Sequence, residues 1–208
     1  MLEINNYGDL KKSVQTWLNR KDQSTIDNIP IFINFAEKMF TRLIKLPYYE
    51  TSYIAVWDEG KGFVQLPSDF LSMKHIYVGD SILTRVDLEN YIKLTQKDKN
   101  LTKPKWFTRV GSSIQIFPPP STGDAVNMIY YKDIPEMTNE TDAPYSLITA
   151  PEIFLYLSLR HAAIFLRDND QEQYWMSKAT ESAESLKKLL DEVEWSGSSL
   201  VVSQFDEV

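Results

Sequence analysis

The chain of 208 residues contains no cysteine, only two histidines and seven scattered glycines. The absence of cysteine excludes a disulfide framework and thiolate metal sites, and it suits folding in a reducing cytoplasm. His75 and His161 each lack a second histidine or a carboxylate at ligand spacing, so we expect no metal site. Without a glycine-rich phosphate loop or a Gly-x-Ser-x-Gly motif, the sequence predicts no cofactor and gives no sign of an enzyme.

A long hydrophobic run is also missing. The most apolar stretch, residues 153–166, is too short to cross a bilayer and carries Arg160 and His161 near its middle. We interpret it as a buried helix and expect no membrane partner.

Positive charge is scarce at one end of the chain. The net charge is −7, and residues 168–208 hold ten acidic side chains against three basic ones, whereas the rest of the chain is balanced. This distribution argues against tight nucleic-acid binding, which requires lysine and arginine to neutralise phosphates.

Both ends of the chain show helical periodicity. Asn28 is the predicted cap of the second helix, and Thr149 with Glu152 resembles a capping box before the third. Small Ala179 and Ala183 predict close packing of the fourth helix on the third. The predicted helices are residues 7–19, 29–46, 149–167 and 171–194.

The middle of the chain changes to a period of two, which is typical of strands. Three hairpins are predicted, joining 51–57 to 63–66, 73–78 to 81–84, and 106–110 to 113–117. A further strand is expected at 126–131, a short helix at 87–96 and an irregular loop at 133–148.

These patterns predict an α+β fold: a bundle of about four helices from the two chain ends, with a central antiparallel β module inserted between helices two and three. The expected parts are a helical bundle core of residues 1–48 and 149–195, an inserted β-rich module of residues 49–148, and an extended C-terminal tail of residues 196–208.

Three groups of residues are candidates for function. Asp58, Glu59 and Asp69 could pair for glycoside hydrolysis, although acidic residues are also common in turns. The basic segment, residues 93–109, contains Trp106 and Phe107 and is either a patch for DNA or a partner, or a solvated loop. Its cations proposed for a DNA channel or a partner are Lys97, Lys99, Lys103, Lys105 and Arg109.

The tail and the last helix form the third group. The tail is partly apolar and cannot form a core by itself, so it either docks on a neighbour or is a frayed terminus. The residues of the candidate partner interface are Leu200, Val201, Val202 and Phe205 in the tail, with Glu181, Glu184 and Asp191 on the helix.

Several segments, taken in order, resemble the head–tail adaptor proteins of tailed bacteriophages, the family that includes tail tubular protein A of short-tailed phages. Each motif is weak alone, but their order covers nearly the whole chain. They are Tyr7-x-x-Leu10-x-x-x-Val14-x-x-Trp17-Leu18-Asn19-Arg20, Ile29-Pro30-x-Phe32-Ile33-x-x-Ala36-Glu37, Arg42-Leu43, Leu66-Pro67-Ser68-Asp69-Phe70-Leu71, Ile114-x-Ile116-x-Pro118-Pro119-Pro120, Tyr130-Tyr131 and Pro151-Glu152-x-x-Leu155-Tyr156.

The resemblance implies a structural virion protein of the tail or neck, assembled in the host cytoplasm as a dodecameric ring. Its partners would be the portal protein, the tail nozzle protein and other copies of itself, and DNA would pass through the channel without specific binding. Two alternatives from other classes stay open: a tail-associated cell-wall hydrolase, and a DNA-binding module that uses the basic segment.

Overall fold

The structure, a computed structural model, describes residues 3–97 and 101–195 of the chain. Within these ranges the chain forms six α-helices, one short 3-10 helix and eight strands. In chain order the elements are α1 (Tyr7–Leu18), α2 (Gln23–Leu43), the 3-10 helix (Pro47–Tyr49), β1 (Glu50–Val56), β2 (Val64–Gln65), β3 (Phe70–Val78), β4 (Ser81–Ile82), β5 (Thr84–Arg85), α3 (Leu88–Lys97), β6 (Trp106–Val110), β7 (Ser113–Phe117), β8 (Ala125–Lys132), α4 (Tyr145–Thr149), α5 (Pro151–Phe165) and α6 (Asn169–Trp195).

The chain divides into two compact units. The helical unit comprises Met1–Tyr48 and Ile134–Val208, and the β unit comprises Tyr49–Asp133. Residues 134–148, which the sequence assigned to the inserted module, group with the helices. Backbone hydrogen bonds join this segment to α1: the Tyr7 and Gly8 amides donate to the carbonyls of Asp142 and Glu140 at 2.8 and 2.9 Å.

In the helical unit, α1 begins at Tyr7 as predicted, with the Asn6 side chain accepting from the Asp9 amide at 2.9 Å. The predicted start of α2 is wrong by about two turns. Asp22 caps the helix by accepting from the Thr25 amide, and Asn28 lies inside it, donating to the Ser24 carbonyl at 2.7 Å. Residues 23–28, which precede the predicted start, therefore form the first turns of α2.

The centre of the helical unit is α5, which is buried along most of its length, as the sequence predicted. The predicted capping box is wrong, because Thr149 is the last residue of α4 and the N-cap of α5 is Ala150, which makes no side-chain capping bond. Helix α6 packs on α5 through Ala179 and Ala183, 0% and 3% exposed, as expected from their small size.

The β unit contains two four-stranded sheets, with strand orders β1-β8-β3-β4 and β2-β7-β6-β5. The first predicted hairpin is wrong, because β1 pairs with β8 and β2 pairs with β7. The turn between them instead carries the chain from one sheet to the other, and it is closed by the Lys61 and Gly62 amides, which donate to the Asp58 carbonyl.

The other two hairpins are confirmed. Strands β3 and β4 pair around Gly79, and β6 and β7 pair around Gly111. Both glycines have positive φ angles, 54° and 61°, which these tight turns require and which other residues adopt at a cost.

One buried cluster holds the two sheets together, and it contains side chains from both of them. Its members are Trp57, Val64, Leu66, Ile76, Val78, Leu83, Phe107, Ile114, Ile116, Val126 and Met128. The predicted α+β class, with a β module between the second and third long helices, is confirmed. The pairing is antiparallel except between β5 and β6, which run parallel for two residues.

Candidate functional site

The two histidines occupy unrelated positions. His75 is exposed on β3, whereas the ring of His161 lies 5.4 Å from that of Phe35, and burial, with a smaller effect of Arg160, lowers the pKa of His161. Across residues 3–97 and 101–195, no group of three or more His, Cys, Asp or Glu side chains is placed to hold a metal ion. In the part of the chain that the structure describes, no helix has both the length and the apolar character needed to span a membrane.

Of the three carboxylates considered for hydrolysis, two make contacts that support local structure, and the third is exposed. Asp58 accepts from the Gly60 amide at 3.0 Å and pairs with Lys61 at 3.4 Å, and Glu59 is exposed in the same turn. Asp69 accepts a hydrogen bond of 2.8 Å from Tyr130, whose pKa is raised to about 12, first by burial and then by this bond.

Glu37 is a buried carboxylate on α2. It is 6% exposed and accepts a 2.8 Å hydrogen bond from the Met137 amide. Burial raises the pKa of Glu37 to about 7. Its spacing from Ile33 and Phe40, four and three residues away, was the signal that it faces the core.

Glu37 is one of several residues on the first two helices that bind a segment of irregular chain, residues 134–142, here called the strap. Lys38 pairs with Glu136 on the strap, and Lys11 pairs with Glu140 at 2.5 Å. The strap therefore joins distant parts of the sequence, and its polar contacts are structural.

The basic segment does not form a single patch in the described residues. Lys97 ends α3, and Arg109 lies over the ring of Phe70 at 5.1 Å. Lys103 and Lys105 are exposed just before β6, where they line one groove. The structure thus brings Lys103 and Lys105 together and leaves Arg109 with a different set of contacts.

The acidic residues named on the last helix are all exposed on α6. Glu181 pairs with Lys178 at 2.9 Å, an i,i+3 contact within the helix. Glu184 and Asp191 make no ion pair with any residue that the structure describes. They therefore leave negative charge available at the surface.

An aromatic cluster, formed by Trp17, Tyr156, Tyr174 and Trp175, lies on the helical unit. Trp17 is 5.8 Å from Trp175 and 6.2 Å from Tyr156, measured between ring centroids. Trp17 and Tyr174 are each about half exposed, at 53% and 51%. A cavity of about 240 Å³ beside Trp17 and Trp175 has Arg20 and Asp168 among its lining residues. The sequence interpretation missed this cluster, because its rings come from three different helices.

The remaining candidate residues lie outside the described residues. They are Lys99 of the basic segment and Leu200, Val201, Val202 and Phe205 of the tail. Their proposed roles stay predictions.

Comparison with known proteins adds one finding. A search of curated proteins gave no match. The family model described as SU10 adaptor protein matches residues 5–202, which is nearly the whole chain and includes both units described above. The sequence resemblance to phage adaptors and this match agree on a bacteriophage adaptor with a structural role. The chain belongs to the SU10 adaptor protein family.

Proposed function

We propose that the chain forms a ring between the portal and the tail nozzle of a tailed phage, with its copies lining the channel through which DNA passes. The observation that carries this proposal is the family match over residues 5–202. A ring of identical subunits requires a heterologous interface, in which one surface of each copy meets a different surface of the next. The sequence resemblance favours a dodecamer.

The helical unit has surfaces suited to such an interface. Partly exposed aromatic side chains are enriched where protein partners bind, because they bury a large area with little loss of conformational freedom. Trp17 and Tyr174 of the aromatic cluster are each about half exposed, and so is Phe35 on α2. These rings support the helical unit as the wall of the ring.

The negative net charge of the chain supports a role in lining a channel through which DNA passes without being bound. A surface that gripped phosphates would slow the DNA, whereas a net charge of −7 disfavours tight binding. An electrophoretic mobility titration with duplex DNA at rising salt separates this role from a DNA-binding module. We expect no saturable complex at physiological salt, whereas a tight, salt-dependent complex would favour the DNA-binding module.

The acidic face of α6 is the proposed contact with the near-neutral, lysine-containing first half of a neighbouring copy, whose first fifty residues hold seven basic and six acidic side chains. Glu184→Lys with Asp191→Lys should therefore impair ring assembly at low salt, where charge interactions are least screened. Glu59→Lys with Glu89→Lys changes the charge equally on the β unit and serves as the control. Equal assembly of both variants would remove this contact from the proposal.

The role itself is tested by a phage that cannot make this chain. We expect DNA-filled heads that lack tails and leak DNA, and we expect the chain supplied from a plasmid to restore infectivity. Complete, infectious particles made without the chain would refute the proposed role.

A further inference from the structure

The β unit contains a groove, here called the Lys103 groove, that is open among the described residues of this unit. It has a volume of about 470 Å³ and is lined by Ser81 and Ile82 of β4 together with Leu101, Lys103 and Lys105 of the segment before β6. Strand β4 lies at the end of the order β1-β8-β3-β4 and, in the described sheet, pairs only with β3, so its other edge has no strand beside it.

The apolar part of the groove is unusually exposed. Ile82 is 75% exposed, which is the largest exposure among the large hydrophobic side chains that the structure describes, and Leu101 is 44% exposed. Covering them with apolar groups of a partner would stabilise a complex by removing their surface from water.

The rim of the groove is basic. Lys103 and Lys105 are both exposed, and within residues 3–97 and 101–195 neither has a carboxylate within ion-pair distance. Lys105 lies 5.1 Å from the centre of the Trp106 ring, which holds its ammonium group beside an aromatic face. The groove therefore fits an extended segment that is apolar along its length and acidic at one end.

The chain carries a segment of this description. Residues 200–205 read Leu-Val-Val-Ser-Gln-Phe and contain no charge, and Asp206 and Glu207 follow directly. Residues 189–208 contain five acidic side chains and no basic one. β-Branched and aromatic residues without proline favour an extended conformation, which suits docking along an edge strand.

We infer that residues 200–207 of one copy dock in the Lys103 groove of the neighbouring copy, with the apolar run over Ile82 and Leu101 and the carboxylates against Lys103 and Lys105. This inference rests on the proposed ring, which places a second copy beside each chain.

The first experiment measures binding of a fluorescein-labelled peptide of residues 196–208 to the full chain by fluorescence anisotropy. We expect saturable binding that is about tenfold weaker for Lys103→Glu with Lys105→Glu, because two attractions become repulsions. Lys12→Glu with Lys21→Glu makes the same charge change on exposed lysines of the helical unit and should bind as the wild type does. Circular dichroism confirms that each variant is folded.

A charge exchange makes this test specific. A peptide carrying Asp206→Lys and Glu207→Lys should bind the Lys103→Glu, Lys105→Glu chain more tightly than it binds the wild type. Ile82→Ser probes the apolar part separately and should also weaken binding of the original peptide. Equal binding of the original peptide to all variants, or no recovery on exchange, would overturn the inference. So would single-stranded DNA that binds through Lys103 and Lys105 while the peptide does not bind.

The absence of native cysteine allows a direct test of the donor. A chain with Ser81→Cys is mixed with a chain with Ser203→Cys under mild oxidation, with and without the portal. We expect a disulfide-linked dimer from the mixture, well above the level given by either variant alone. A double variant that links only within one chain, with no dimer from the mixture, would refute docking between copies. Rings that form on the portal without this crosslink would refute the inference and leave the proposed function standing.

Discussion

The two units expose different kinds of apolar side chain. The helical unit exposes mainly aromatic rings, among them Trp17, Phe35 and Tyr48, whereas the β unit exposes aliphatic side chains on its edge strands, with Ile54 and Ile82 at 65% and 75%. Exposed rings on helices suit broad contacts between folded surfaces, and open edge strands suit extended peptides. The difference suggests that each unit meets its neighbours in a different way.

The units also differ in how the sequence builds them. The β unit is one continuous stretch of chain, whereas the helical unit joins two distant segments around α5. The stability of the helical unit therefore depends on packing between these two segments. The stability of the β unit depends on contacts within one continuous segment.

The largest expected effect is in the core of the helical unit. Phe154 is 1% exposed, and its ring stacks on that of Phe40 at 4.6 Å. Phe154→Ala should lower the free energy of unfolding by about 3–5 kcal/mol, through lost burial and the cavity it leaves. Urea unfolding followed by circular dichroism at 222 nm measures this loss. Ile31→Ala, at an exposed site on the same unit, should change the free energy by less than about 1 kcal/mol, and equal losses would contradict the assigned core.

The next effect depends on pH. The folded-state pKa of Glu37, about 7, lies above its ordinary value of 4.5 because the carboxyl group is buried. The folded state therefore binds more protons between these values, so this contribution to stability is complete below pH 4.5 and is lost as the pH rises through 7.

Glu37→Gln removes this titration and keeps an oxygen that can accept from the Met137 amide. Relative to the wild type, the variant should gain about 2 kcal/mol in unfolding free energy between pH 4.5 and pH 8, an amount reduced for solvent screening. Glu59→Gln, at an exposed site on the β unit, is the control. A difference between Glu37→Gln and wild type that is constant with pH would show that Glu37 is not a buried, titrating group.

A smaller effect is expected in the β unit. Gly111 has a φ angle of 61° in the turn between β6 and β7, and left-handed backbone costs a residue with a Cβ about 1–2 kcal/mol. Gly111→Ala should lower the free energy of unfolding by about that amount, measured by urea unfolding followed by tryptophan fluorescence. Gly60→Ala, where φ is not positive, is the comparison, and a larger loss at Gly60 would contradict the turn geometry.

The smallest effect is expected at an exposed ion pair on α3. Lys93 pairs with Glu89 at 2.6 Å, and both side chains are mostly exposed. Glu89→Gln should change the free energy of unfolding by about 0.3 kcal/mol, since water and salt screen such pairs. A loss above about 1 kcal/mol relative to Glu59→Gln would mean that this helix carries a contact that the single chain does not show.

Much of the fold could be predicted from the sequence, because periodicity reports which face of an element is buried. Periodicity predicted helices at both ends of the chain, the buried central helix α5, and the hairpins at Gly79 and Gly111. The errors arose where local signals compete. Asp22 and Asn28 are both good caps, and the turn at Asp58 looks the same whether it joins partners in one sheet or strands of two sheets.

The candidate surfaces were less predictable, because they depend on residues far apart in the sequence. The lysines of the basic segment could be named, but only the fold separates Arg109, over Phe70, from Lys103 and Lys105. In the same way, the position of Trp17 beside Trp175 depends on the packing of α1 and α6 against α5. Periodicity identifies a buried face and does not say which exposed rings meet.

The central claim, that this adaptor acts by assembling with other phage proteins, is tested most directly by the mass of its complexes. Purified portal rings are mixed with the chain and weighed by native mass spectrometry, with the portal alone and the chain alone as references. The account predicts a discrete complex in which several copies of the chain are bound per portal ring at a fixed ratio. Portal rings that keep their own mass at saturating chain would contradict it.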